Sequence, residues 1–253
     1  MVALDVVLNR FDASKEKVRK EIREGFFNAD GSLRISETEL RTWIADRAVD
    51  ELRVVFQLSA VLSKSAHLIP PHILVQVTEQ MSDEARHFDI LRSLVPQDLH
   101  HVIDSKVAEL PAALASDGHW ASLLAAVEQG YPFAALLDIN IVHEGFSAAA
   151  IEELRHIPFE DIRDAYAGIG VDEEKHHESG RELLLWLVGA SERHAAGQVI
   201  DTAHERAVEG GAMSWSWPAS TTSDIVETAH ERAVEGGAMS WSWPANTPSK
   251  SDG

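Results

Sequence analysis

Asp83-Glu84-Ala85-Arg86-His87 and Asp172-Glu173-Glu174-Lys175-His176 share one pattern, D-E-x-basic-H. On a helix, Glu at i and His at i+3 lie on one face, so a single helix can offer a carboxylate and an imidazole to the same ion. A two-ion site built this way needs one further Glu from each of two other helices. The decisive question is whether those carboxylates stand at workable positions.

Glu51 lies 33 residues before Glu84, with a turn at about Leu68 to Pro70 between them, and Glu144 lies 29 residues before Glu173, with Ile157-Pro158 roughly midway. Antiparallel helices rising about 1.5 Å per residue bring each pair to the same height. Spacing therefore selects Glu51, Glu84, His87, Glu144, Glu173 and His176 as six metal ligands. Val77, Met81, Phe88 and Leu91 share the face of Glu84, and Val55, Leu58 and Leu62 continue that of Glu51. Unpaired acids on an apolar stripe are costly to bury, and coordination to cations neutralises them. The competing reading, solvated charged faces, requires the same five-residue pattern and a matching upstream Glu to arise twice by accident.

Working outward, helical spacing dominates and the chain is expected to be all-α. A first helix is expected over about Val2 to Phe27, closed by the turn-forming Asn28-Ala29-Asp30-Gly31-Ser32. Asn28, Asp30, Gly31 and Glu37 fall at offsets of a calcium loop, but the first ligand position would be Phe26, so a plain turn is preferred. Ser36 and Glu39 form a capping box that opens a second helix to about Ala66. A third runs from Pro71 to about Leu94. Gln97 to Asp117 reads as a long, less regular crossover. Helical spacing resumes at His119, is interrupted at Gly130-Tyr131-Pro132, and continues past Glu144. The last helix of the bundle is expected to pass through Glu173 to about Val188.

Composition narrows the chemistry. The 253 residues are 45% apolar, enough for a buried core, and 41 acidic against 22 basic side chains give a formal charge of -19. That field disfavours nucleic acid and anionic membranes as partners. With no cysteine, disulfides, cysteine zinc sites, iron–sulfur ligation and thiol catalysis are excluded, so a metal must sit on His and carboxylate. The N-terminal residues lack the order of a signal peptide and no stretch reads as a membrane span, so a cytoplasmic protein is expected.

DEARH and DEEKH with their partner glutamates resemble the ferritin-like superfamily, in particular its diiron carboxylate oxidases and oxygenases. The resemblance covers about residues 36 to 190. It implies a ferritin-like four-helix bundle (36–190) after an N-terminal helix and turn (1–35), and a non-heme diiron oxidoreductase using dioxygen. The cofactor implied is two iron ions cycling between Fe2+ and Fe3+, with manganese as the alternative metal. It also implies that Asp83 and Asp172 orient His176 and His87 across the bundle, with Arg86 and Lys175 pairing those acids. Glu174 and His177 form a second E-x-x-H register; Glu173 and His176 are preferred because the preceding Asp then matches the first copy. His143 and His177 are read as outer groups. Gly145, Ala148, Ala149, Gly168, Gly170 and Gly180 read equally as substrate room or close packing, and Tyr131 and Tyr166 as core residues before neighbours of the metals. Lacking cysteine for a rubredoxin-like centre, such an enzyme needs an external electron donor or reductase. Ferritin-type iron handling is the rival on the same site, and a homo-oligomer stays open.

Residues 191–253 form a tail that repeats with a period of 26: DTAHERAVEGGAMSWSWPA (201–219) and ETAHERAVEGGAMSWSWPA (227–245) agree at eighteen of nineteen positions. Two units are too few for a solenoid. Each has a short amphipathic half, a Gly-Gly, then an octet rich in Trp and Ser. This layout resembles a multicore precursor of a ribosomally synthesised, post-translationally modified peptide (RiPP). It implies that the enzyme modifies core peptides of its own or a neighbouring chain at Trp215, Ser216, Trp217, Trp241, Ser242 and Trp243. Trp215 lies 26 residues beyond Gly189; a flexible chain of that length spans about 25–30 Å. Two other readings stand beside it: docking or shell-targeting peptides for an enzyme acting on a small molecule, and helices packed on the bundle.

Overall fold

The computed structural model describes residues 4–189, with side chains from 15 to 186. The repeat tail and its six candidate Trp and Ser residues lie outside the described residues. The described residues are helical with no strand; a single β-bridge joins Phe27 and Leu33.

Helix α1 (Leu4–Phe26) ends in the turn at Asn28–Ser32, where Asp30 Oδ1 accepts from the Ser32 amide at 3.0 Å and Gly31 takes φ 82°. A left-handed residue there favours glycine. The plain turn forms, and it delivers the chain to α2 (Glu37–Ser65), whose N-cap Ser36 and Glu39 make the reciprocal capping box. A 3-10 turn (Ala66–Leu68) leads to α3 (Pro71–Ser93), with Pro at its first position. These two helices form one hairpin. The second hairpin is a continuous helical rod, α6 (Phe133–Leu137), a π segment (Asp138–His143) and α7 (Glu144–Leu154), followed by α8 (Glu160–Gly189). α3 packs on α8, joining the hairpins into a four-rod bundle, while α1 packs on α7.

The crossover is not irregular. It holds α4 (His100–Ser116), and α5 (Gly118–Glu128) follows where helical spacing was expected to resume; both pack on α2. Ile103, Leu110 and Leu114 are buried at helical spacing, and Arg92 reaches Asp104 at 2.9 Å. Pro111 sits inside α4; its missing donor obscured the helical spacing around it. Asp117 caps α5 by accepting from the amides of His119 and Trp120.

The core is one cluster running through all the helices. Phe26 of α1 meets Trp43 of α2 edge to face at 5.0 Å between centroids, and Arg23 binds Glu153 at 3.0 Å. Gly170 and Gly180 are packing glycines: a Cβ at Gly180 would lie 2.8 Å from Asn140 Cβ and 2.9 Å from its backbone carbon, and one at Gly170 would lie 2.8 Å from Ile151 Cγ2. Helix α8 thus lies close against the rod that carries Glu144. Gly168 is exposed with open space around it. Phe133–Leu154 is long and apolar enough to cross a membrane by length and composition, yet 72% of that window is buried within the bundle, where it forms a core rod.

Candidate metal centre

Each rod brings one carboxylate to the middle of the bundle, and α3 and α8 add one imidazole each because their E-x-x-H units turn inward. The donor atoms form two overlapping groups, Glu51–Glu84–His87–Glu173 and Glu84–Glu144–Glu173–His176; within each, all lie within 4.8 Å of one another. His87 Nδ1 stands 3.5 Å from Glu84 Oε2, 3.3 Å from Glu173 Oε1 and 3.7 Å from Glu51 Oε2. His176 Nδ1 stands 3.1 Å from Glu84 Oε1, 4.0 Å from Glu173 Oε2 and 3.8 Å from Glu144 Oε2. Glu84 and Glu173 therefore show one oxygen to each half, whereas Glu51 and Glu144 serve one half only. The imidazole centroids are 6.2 Å apart.

The far ring nitrogens are held across the bundle. His87 Nε2 lies 3.2 Å from Asp172 Oδ2 and His176 Nε2 lies 3.3 Å from Asp83 Oδ2. An Nε2–H donated to each acid turns Nδ1 toward the carboxylates. The Arg86 guanidinium donates to Asp83 at 2.7 Å and to Asp172 at 2.9 Å. Lys175 sits 3.9 Å from Asp83 and 3.5 Å from Glu79. Glu174 faces outward toward Arg155, and His177 meets the Asn140 carbonyl, so the alternative E-x-x-H does not enter the cluster.

Two polar residues went unnoticed in the sequence. Gln80 is buried and its Nε2 donates to Glu144 Oε1 at 2.9 Å; Asn140 Nδ2 donates to Gln80 Oε1 at 2.6 Å. The available signal was position: Gln80 is four residues before Glu84, and Asn140 four before Glu144.

The electrostatics demand neutralisation. Burial, reinforced by neighbouring carboxylates, pushes Glu51, Glu144 and Glu173 well above the usual carboxylate range. Burial also opposes the charge on Glu84, but contacts from His176 and His87 outweigh it and hold Glu84 low. Burial disfavours the imidazolium forms of His87 and His176, yet the surrounding carboxylates win and raise both. Three buried carboxylates and the half-buried Glu51 balance two divalent cations in formal charge. The donor atoms also fit: Glu84 Oε1, His87 Nδ1, Glu173 Oε2 and His176 Nδ1 are buried and lack a hydrogen-bond partner. Orphaned polar atoms converging on one point are costly unless an ion or solvent meets them. The cluster could hold a metal ion, and that is compatible with a ferritin-like site.

A cavity of about 30 Å³ abuts the Glu51 half; its lining includes Trp43, His143, Ser147, Ile151 and Tyr166. Glu51 is the most open of the six, with 17% of its side chain exposed. Tyr166 is buried beside Trp43, and its hydroxyl has no hydrogen-bond partner. Burial and the charge of Glu51 raise its pKa, keeping it a donor. Burial lowers His143 and keeps it neutral. Tyr131 departs from the core expectation: it follows Gly130, at φ 91° in the turn before Pro132, and is exposed.

No protein-family model, no curated protein and no solved structure matches the chain.

Proposed function

We propose that this chain is a dioxygen-dependent non-heme diiron oxidoreductase that modifies the Trp/Ser-rich octets of its own C-terminal repeats, or those of a neighbouring copy. The observation that carries the metal half is the convergence of four buried donor atoms that lack a hydrogen bond, from Glu84, His87, Glu173 and His176. Glu51 and His87 would hold one ion, Glu144 and His176 the other, with Glu84 and Glu173 between them. Two ferrous ions held there would supply the electrons that reduce dioxygen for attack on strong C–H or N–H bonds.

The chain's own groups set the conditions. Asp172 and Asp83 fix the tautomer of each imidazole so that Nδ1 faces inward. Gln80 occupies one oxygen of Glu144 and leaves the other for the cluster. Leu58, Val77 and Leu91, buried on the ligand-bearing helices, exclude bulk water. Hydroxylation of a C–H bond by one oxygen atom, with the second leaving as water, consumes two electrons and two protons beyond the substrate's own pair. A separate reductase is their source.

The repeats support the substrate half, because a tether of this length gives a millimolar-scale effective concentration and relaxes the need for tight peptide binding. Intact mass and peptide mapping after expression with iron and a reductase test it. Gain of oxygen, loss of hydrogen or a cross-link is expected within 212–219 or 238–245; unmodified octets reject self-modification. A second reading, turnover of a small molecule with the tail as docking or shell-targeting peptides, is favoured by the cavity beside Glu51. It predicts normal turnover after deletion beyond Ser191.

A further inference from the structure

Five of the seven large apolar side chains exposed among the described residues lie at one end of the bundle: Leu68, Val75, Tyr131, Leu185 and Trp186. Three contacts draw them together. A Cβ at Gly130 would lie 3.8 Å from Leu68 Cδ1, so the turn that carries Tyr131 borders Leu68. The Trp186 ring meets that of Phe133 at 5.5 Å between centroids. Gln76 Nε2 donates to Glu182 at 2.7 Å, which sets Val75, its neighbour in α3, beside the turn of α8 that runs from Glu182 to Leu185. A contiguous exposed apolar face marks an interaction surface. This one lies where the chain leaves α8 toward the repeats, since Gly189 is three residues beyond Trp186. The repeats carry a stripe to match. Val199, Ala203 and Ala207 recur every four residues with Ile200 and Val208 beside them, and Ile225, Val226, Ala229, Ala233 and Val234 take the same places 26 residues later. On a helix such residues share one face. Where the copies differ between 199–219 and 225–245, Val exchanges with Ile, Ile with Val and Asp with Glu, so bulk and charge are kept.

We infer that this end of the bundle is the docking face for the amphipathic half of a repeat of the same chain, 199–208 or 225–234, laid on it as a helix with its apolar stripe inward. Length permits it. Gly189 to Val199 is ten residues, about 16–19 Å for a flexible chain, so the first repeat reaches the face without unwinding α8, and the tether supplies the concentration. Two equivalent copies compete for one face, so the octets are presented in turn. The use of the contact rests on the reading of the tail as substrate: Val208 to Trp215 is seven residues, at most about 25 Å when extended, against about 18 Å of helix rise from Leu185 back to Glu173. Recognition at the end of the bundle is then compatible with reaction at its middle.

The chain has no cysteine, so a single pair can report the contact in the full-length protein before iron is added. His72→Cys stands exposed one turn before Val75, and Thr202→Cys lies beside the stripe of the first repeat. Oxidation with diamide is expected to close an intrachain disulfide, read by intact mass without reductant. Val75→Gln with Leu185→Gln on the bundle is expected to slow closure at least tenfold. Ile200→Gln with Ala203→Gln on the tail is expected to do the same, and it leaves every bundle residue in place. Equal closure rates in all three proteins reduce the contact to tethering and overturn the inference, as does a failure to close. Disulfides formed only between chains give the face to a second copy and overturn it too. Closure needs neither metal nor reductase, so the two readings fail separately. Octets left unmodified while closure behaves as expected reject self-modification alone, and modified octets with unslowed closure reject the docking face alone.

Discussion

The Glu51–His87 and Glu144–His176 halves are built from the same residue types at the same helical spacing, yet one borders an open space and the other is sealed by amides. What differs is the rod that carries each carboxylate. Glu51 sits on a regular helix whose neighbours leave a gap beside Tyr166 and His143. Glu144 follows directly on a π segment whose Asn140 is pressed against Gly180 and bonded to Gln80. A wide turn inserted into a helix shifts everything after it, and such turns recur at functional sites. Near-symmetric ligand sets therefore need not give equivalent halves.

The comparison can be broken first at its shared members. Glu84→Ala removes an oxygen from both halves and is expected to take the metal content from two to none, whereas Glu51→Ala leaves one; elemental analysis of the purified variants reads this. Proton competition comes next. The raised pKa values of Glu51, Glu144, Glu173, His87 and His176 mean that these groups hold protons to higher pH in the metal-free protein, and metal binding must release them. Affinity is thus expected to rise with pH by at least a hundredfold from pH 5.5 to 8, with proton release seen by calorimetry in buffers of different ionisation enthalpy. A flat profile contradicts the protonated cluster. Gln80→Leu strips the sealed half of its outer donor and should weaken one of the two metals by about 10–100-fold, while Tyr166→Phe leaves both unchanged; competition with a chelator distinguishes them. The smallest effect tests the close approach. Gly180→Ala pushes Cβ into Asn140 and is expected to cost about 1–3 kcal/mol, whereas Gly168→Ala, in open space on the same helix, is expected to be neutral or to stabilise by about 0.5–1 kcal/mol. Thermal melts of both suffice.

Much of this site was legible because helix geometry converts sequence distance into height. The 33- and 29-residue separations, each with a turn near its middle, place Glu51 beside Glu84 and Glu144 beside Glu173. Ser36 and Glu39 announced α2 through a local hydrogen-bond pattern. Other features depend on partners that no local pattern encodes. Ile103, Leu110 and Leu114 keep α4 helical through burial against α2, overriding Pro111. The π segment lies in a run buried on all sides, where apolar residues lose their period and register cannot be read. Gln80 and Asn140 find each other across 60 residues.

The division of donors between the hairpins has a kinetic corollary. The first hairpin owns Glu51, Glu84 and His87, the second Glu144, Glu173 and His176, and each position draws at least one oxygen from the opposite hairpin. Neither half-bundle holds a complete donor group while the other is undocked, so a metal ion would be captured only in the final step of folding. A loaded protein must then surrender its ions before the hairpins separate, and chelators should hasten unfolding of a chain that has no covalent cross-link to slow it.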